Sequence, residues 1–278
     1  MRERICLGNR TSHKAIPAPS VYPVGDFIMA QDERLTKPWM PRACLAASVL
    51  VAAIAFVQPI NVGAARLLVL GSTCAVWASL MWVLWQRRWA RYTVLALPAL
   101  AALVLVMPGG PVQPEALRSE YLRQMARYKG STYVWGGEGR LGIDCSGLVR
   151  RGLLNANVKL GVARLNPRLL RRALGMWWFD SSAKALRDGY RGQTRLVVEA
   201  DSLNEFDHEG ILPGDLACTQ DGRHVLAYIG DRTWISASGG RLAMDIRAEP
   251  PNEGWFSVPV KIVRWTDFPS TGLGTVGE

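Results

Sequence analysis

Two side chains in the C-terminal half have the types that thiol-based acyl transfer needs. Cys145 stands in IDCSGL (143–148), where a helical period, CSGLVRRGLL, begins with Asp144 beside its start. At a helix N-terminus the unpaired backbone N–H groups and the helix dipole stabilise an anion. The position is therefore expected to lower the thiol pKa and to supply a thiolate near neutral pH. Gly147, two positions on, permits close approach of a neighbouring backbone. His224 opens an apolar run, HVLAYIG (224–230), so its ring can point into a cleft between strand and helix. The other histidine of this half, His208, lies in the acidic stretch EFDHEG and is expected to be solvated. A Cys and a His from separate elements are what a thiol peptidase requires. The same residues also fit blander roles: a small buried thiol, a structural imidazole and, for Asp144, a helix N-cap.

The elements that must position these groups follow from periodicity. PEALRSEYLRQMARY (114–128) repeats apolar residues at helical spacing, with Gly130 after its end. STYVWGGEGRLGID is a Gly-rich loop leading into the Cys145 helix. Residues 167–188 read as two further helices around MWWFDSS, and RLVVEA (195–200) is β-rich. From 211 the pattern turns to strands: ILPGDLACT, HVLAYIG, TWISAS and FSVPVKIVRW, with a turn at Gly230-Asp231-Arg232. Helices first and strands second is an α+β order.

The N-terminal half has a different composition. Of the chain's net charge of +10, residues 1–110 carry +7 (11 Lys and Arg against 4 Asp and Glu). Those basic residues punctuate three apolar runs, at 43–62, 67–85 and 92–107. A membrane-spanning helix needs about 20 apolar residues. The third run is short, but Trp89 and a snorkelling Arg91 extend it. Three such runs joined by tight loops read as an α-helical membrane anchor over 39–107, with the lipid bilayer as its partner. Charge placed this way argues against a nucleic-acid partner, which calls for a basic face on the folded domain. Lys and Arg before the first run and Arg87, Arg88 and Arg91 in the second loop put those segments in the cytoplasm, so three spans leave the C-terminal domain outside. Residues 1–38 read as a disordered cytoplasmic tail without a signal-peptide pattern, and Met29 is a natural start. A turn-rich linker at 108–113 precedes a domain over 114–268, and 269–278 read as a flexible C-terminus.

Taken together, YVWGG (133–137), DCSGL (144–148), LPGDL (212–216), HVLAYIG (224–230) and WISAS (234–238) resemble, in order, the signature of the NlpC-type family of papain-like cysteine peptidases. The resemblance covers roughly residues 115–265. It implies a papain-like core, a Cys-bearing helix packed on an antiparallel sheet that carries the His. It further implies cleavage of peptide bonds in the stem peptides of bacterial cell wall. Cys145 would be the nucleophile and His224 the general base and acid. Tyr133 would support the oxyanion, and Asp144 and Ser146 would line the site and hold the free amine end of a stem peptide. Trp135 would either wall the cleft or pack inside.

One position departs from the family pattern. Twelve residues after the catalytic His the family carries His, Asn or Gln; here stands Ser236. Its hydroxyl could accept the His224 Nδ1–H and fix the tautomer, without charge and with a shorter reach. An amidase or transacylase on the same core, and a catalytically weak wall-binding protein, remain the alternatives. The five cysteines have neither disulfide-scaffold nor metal-ligand spacing, and neither metal nor cofactor is expected. The implied place is the bacterial cytoplasmic membrane, with the catalytic domain on the outer side.

Overall fold

The computed structural model describes residues 39–250 and 252–269. The tail expected over 1–38, with its alternative start at Met29, lies outside the described residues, as do most of the expected flexible C-terminal residues.

Three helices come from the apolar runs: α1 (Met40–Val57), α2 (Gly63–Leu84) and α3 (Arg88–Val106). All three are long and apolar enough to cross a membrane. Each differs from its run at the ends for a local reason. Pro59 stops α1 short, because a proline cannot continue the backbone ladder. α3 starts four residues early, taking in Arg88, Trp89 and Arg91. Pro98 lies inside α3 without breaking it.

The rest of the chain is built on one sheet. After α4 (Pro114–Ala126) come a small hairpin, β1 (Glu138–Gly139) and β2 (Gly142–Ile143), and the long helix α5 (Cys145–Ala163). Then follow α6 (Pro167–Trp178), α7 (Ala183–Arg187) and the strands β3 (Thr194–Ala200), β4 (Leu216–Thr219), β5 (Val225–Gly230), β6 (Thr233–Ser236), β7 (Met244–Arg247) and β8 (Val260–Trp265). The six-stranded sheet has the order β3-β8-β4-β5-β6-β7, and every neighbouring pair is antiparallel. Helix starts follow their capping chemistry: Pro114 and Pro167 in first turns, and Asp144, Asn166 and Ser182 as side-chain caps.

Strand alternation divides the core in two. Leu216, Cys218, Val225, Ala227, Val263 and Trp265 face α4 and α5. Ala217, Leu226, Tyr228, Trp234 and Ile262 face the opposite layer, closed by Leu203, Ala248 and Phe256. Both faces are covered, which is why LACT is buried at every position. β7 was not foreseen, because MDIR offers little apolar signal and is held by its register against β6. The region between α5 and β4 supplies an edge strand, β3, as well as helices.

The LPGD turn is clamped from inside. Arg264 Nε and Nη2 donate to Asp215 Oδ1 and Oδ2 at 2.7 and 2.6 Å, and the Leu212 N–H donates to Oδ2 at 2.8 Å. Gly214 has φ +100°, a conformation that side chains disfavour, and its N–H donates to the Tyr228 carbonyl. The turn therefore joins β8, β4 and β5 at one point. Removing one member of a buried pair strands the other charge. Asp215→Ala is expected to cost about 3–5 kcal/mol, read from the chemical unfolding midpoint of the full chain in detergent. A change below about 0.5 kcal/mol, the size of an ordinary surface substitution, would contradict the clamp.

Candidate active site

Asp144 closes the entrance to α5. Its Oδ1 accepts from the Gly147 N–H at 2.5 Å and the Ser146 hydroxyl at 3.0 Å, and its Oδ2 accepts from the Gly136 N–H at 2.8 Å. The N-cap role is thus present, together with a second grip on the Gly-rich loop. The loop comes close because residue 147 is glycine: a Cβ there would overlap the Gly137 carbonyl oxygen.

Cys145, next along, is buried at 7% exposure. Burial, with the Asp144 carboxylate beside it, pushes its thiol up to about 11. Main-chain hydrogen bonding at Val225, Ser146 and Cys145 itself pulls the other way without prevailing. The expected lowering by the helix terminus is therefore overturned. Desolvation and a neighbouring anion outweigh the dipole.

His224 enters from the sheet. Its backbone is fixed at the β4–β5 turn, where its N–H donates to Thr219 Oγ1 at 3.0 Å and its carbonyl accepts from the Thr219 N–H at 3.0 Å. The ring stacks on Trp255, with centroids 4.6 Å apart and planes 11° from parallel. Nε2 lies 2.9 Å from Ser236 Oγ and 3.4 Å from Ser238 Oγ, and the two hydroxyls are 3.1 Å apart. The serine contact expected at Nδ1 is thus made at Nε2, the nitrogen at the far end of the ring and the one that can reach β6. The register explains the spacing of twelve. Ala227 pairs with Ile235, so continuing the ladder sets Ser236 opposite Leu226 and Ser238 opposite His224. Burial pushes the His224 imidazolium pKa down to about 4, against a small opposing pull from Asp221.

The two halves meet where main chain next to His224, at Val225, reaches the Cys145 sulfur. Tyr133 stands close enough to Cys145 and Asp144 that their charges, after burial, raise its pKa. Its ring packs beside Gly239, next to Ser238. Cys145, Asp144, Ser146 and Tyr133 thus form one group, and His224, Ser236, Ser238 and Trp255 the other. Trp135 is 78% exposed and does not pack in the core.

His208 takes no part, and it is not solvated. Its Nδ1 lies 2.5 Å from the Phe206 carbonyl, and its Nε2 accepts from Trp234 Nε1–H at 3.1 Å. Because an indole only donates, Nδ1 carries the proton. Aromatic rings on three sides bury it, and burial lowers its pKa.

Residues far away in sequence hold the Gly-rich loop. Ile60, between α1 and α2, pairs with Gly137, the Asn61 N–H donates to the Gly136 carbonyl, and the Glu138 N–H donates to the Pro59 carbonyl. Asn61 Nδ2 donates to Glu138 Oε2 at 2.6 Å. Glu138 also pairs with Arg150 and Arg66, both buried, and each arginine reaches Asp180. Two arginines and two carboxylates close this cluster without net charge. The strap thus ties the α1–α2 loop to the loop that caps Cys145.

Residues 130–261 match the model of the NlpC/P60 family. The chain carries an NlpC/P60 domain. The family includes cell-wall peptidases. A search of curated proteins finds no match. Among solved structures, the chain is similar to NlpC1 from Trichomonas vaginalis, at 19% identity over 56% of this chain and 46% of that one, with a TM-score of 0.35. It is similar to a mutated form of the Resuscitation Promoting Factor Interacting protein RipA, at 16% identity over 57% and 72%, with a TM-score of 0.33. A third is a Staphylococcus aureus protein described as similar to lipoprotein, NLP/P60 family, at 16% identity over 56% and 43%, with a TM-score of 0.32. The chain spans about half the length of the first and third of these, but most of the second.

The contact between Gly147 and Gly137 can be tested against a helical glycine with open space. Gly147→Ala is expected to destabilise the protein by about 1–3 kcal/mol through overpacking. Gly175→Ala meets nothing within 4 Å and is expected to stabilise by up to about 1 kcal/mol through helix propensity. Equal effects on the unfolding midpoint would contradict the close approach.

Proposed function

We propose that this protein is a membrane-anchored cysteine peptidase that hydrolyses peptide bonds in bacterial cell-wall stem peptides. The observation that carries the reading is that the helix-start thiol Cys145 is reached by the main chain of Val225, the residue after a buried imidazole, His224, whose Nε2 is held by hydroxyls, within an NlpC/P60 domain.

The mechanism follows from the resting state. With the thiol pushed up and the imidazolium pushed down, both groups rest neutral at pH 7. His224 Nε2 is taken by Ser236 and Ser238, which leaves Nδ1 for the thiol proton. Approach of a substrate carbonyl is coupled to transfer of that proton from Sγ to Nδ1. The sulfur adds to the carbonyl carbon, and the negative charge moves to its oxygen. Backbone N–H groups at the start of α5, with the Tyr133 hydroxyl, stabilise that oxyanion. The tetrahedral species collapses, the C–N bond breaks, and His224 returns its proton to the leaving amine. Water, deprotonated by the same ring, then hydrolyses the thioester. Ser236 and Ser238 are positioning residues that supply oxygen lone pairs to the imidazolium in place of a charged or amide group.

In substrate recognition, Asp144 and Ser146 receive the amine end of the stem peptide, and exposed Trp135 forms one wall of the cleft. The three apolar helices span the bilayer, with the N-terminus in the cytoplasm and the domain facing the wall, as the Lys and Arg distribution supports. The domain runs over 114–268 after a 108–113 linker.

Full-length protein incubated with a muropeptide digest is expected to yield stem-peptide fragments by mass spectrometry, and Cys145→Ala none. Equal products from both would contradict the nucleophile, and no product from folded wild type would contradict the substrate class. Removing Ser236 alone leaves Ser238 within reach, so Ser236→Ala is expected to cost less than Ser236→Ala with Ser238→Ala, where kcat falls by about 10²–10⁴. A double variant no worse than the single would contradict the shared role. Because His224 must be neutral to accept the proton, and its pKa is about 4, kcat/KM is expected to hold from neutral pH down to pH 5 and to fall below it. An acid limb near 6.5 would contradict this.

A further inference from the structure

The anchor and the domain touch at two places with a gap between them. On one side is the strap from Pro59 to Asn61. On the other, Arg171 Nη1 donates to the carbonyls of Leu105 and Met107 at 2.6 and 2.7 Å, capping the C-terminus of α3. Between them lies a cavity of about 790 Å³, within the usual range for small-molecule sites, about 300–1,000 Å³. Phe56, Val69, Leu100 and Val104 line it from the anchor, and Leu174 and Trp177 from α6. Neither Cys145 nor His224 borders it.

We propose that this cavity binds an anionic phospholipid, its acyl chain between the anchor helices and α6 and its phosphate on Arg140 and Arg151. The proposal rests on the membrane reading given above. Three observations carry it.

The first is depth. The cavity follows α3 from Leu97 to Leu105, and the nine steps from Leu97 to the helix end at Val106 rise about 14 Å. That is about half of a hydrocarbon core of about 30 Å, the length of one leaflet. The α3 wall therefore stands where acyl chains already are.

The second is polarity. Away from Gln58, Asn61, Glu138, Arg140 and Arg151 the lining is largely apolar and gives water few partners. An unfilled space would also forfeit the dispersion contacts of every lining side chain. A lipid chain gains no hydrophobic energy by leaving the bilayer, so packing and the headgroup must decide which lipid stays.

The third is charge. Arg140, at the β1–β2 turn, and Arg151, on α5, both border the cavity, as does Glu138, whose charge is already matched by Arg66 and Arg150. Among the described residues neither Arg140 nor Arg151 has an acidic partner, and Arg151 Nε is buried without any hydrogen-bond acceptor. A phosphate is the acceptor that an unpaired guanidinium suits best. Arg140 sits one residue from Gly139, which rests against Pro59, at the level where the helices end and headgroups begin.

The test uses full-length protein reconstituted in vesicles of equal phosphatidylglycerol and phosphatidylcholine, then read by native mass spectrometry. An alkaline wash comes first: a chain that it strips from the vesicles overturns the anchor reading, and this proposal with it. For a chain that stays, the expected result is one retained phosphatidylglycerol, favoured at least fivefold over phosphatidylcholine. Arg140→Gln with Arg151→Gln is expected to lose that preference and remain in the membrane. Ala101→Trp, which fills the cavity from α3, is expected to lower retention of either lipid. Retention of neither lipid, equal retention of both, or an unchanged preference in the double arginine variant would overturn the proposal and leave the anchor reading standing.

Discussion

One carboxylate holds the two parts of the Cys145 surroundings together. Asp144 accepts from Gly147 and Ser146 on the helix side and from Gly136 on the loop side. It caps α5, fixes where Cys145 points, and sets the separation between helix start and Gly-rich loop. The same charge raises the thiol pKa that it helps to position. The arrangement gives up ready ionisation for placement.

Order around the loop is supplied from outside the domain that matches the family. The strap residues Pro59 to Asn61 contact Gly136 to Glu138, and Glu138 is neutralised by Arg66 and Arg150. Arg66 is itself buried, and donates to the Trp178 and Asn61 carbonyls as well. A buried charge cluster of this kind is weak evidence for stability, but removing one member leaves an uncompensated buried charge. The α1–α2 loop is therefore part of the frame on which the Gly-rich loop before Cys145 is built.

Much of this was legible in the sequence because it is local or periodic. The Asp144 cap, the helical run after Cys145, the strand at His224 and the apolar runs of the anchor all rest on spacing within a few residues. Ser236 could be located through the family pattern, which carries a polar residue twelve positions after the His, and hairpin register is what turns that separation into proximity. Ser238 obeys the same register, two residues on along the strand direction, and could have been named with it. Other features were not legible for physical reasons. Asn61 and Glu138 are 77 positions apart, and nothing in either segment announces the other. Trp255 reaches His224 from a short 3₁₀ turn at Gly254–Phe256 that has no periodic signal. His208 looks solvated among acidic neighbours until the fold packs Phe206, Tyr228 and Trp234 around it. The thiol pKa depends on burial, which a helix-terminus argument leaves out.

The proposed mechanism requires Cys145 to rest as a neutral thiol and His224 as a neutral imidazole. The most direct measurement is the rate of Cys145 alkylation by iodoacetamide in the full-length protein, resolved by peptide mass spectrometry across pH 5–10. With a thiol pKa of about 11, the rate should rise about tenfold per pH unit through this range, because only the thiolate reacts. A rate already at its plateau between pH 5 and 7 would mean a preformed thiolate–imidazolium pair, and would contradict the account.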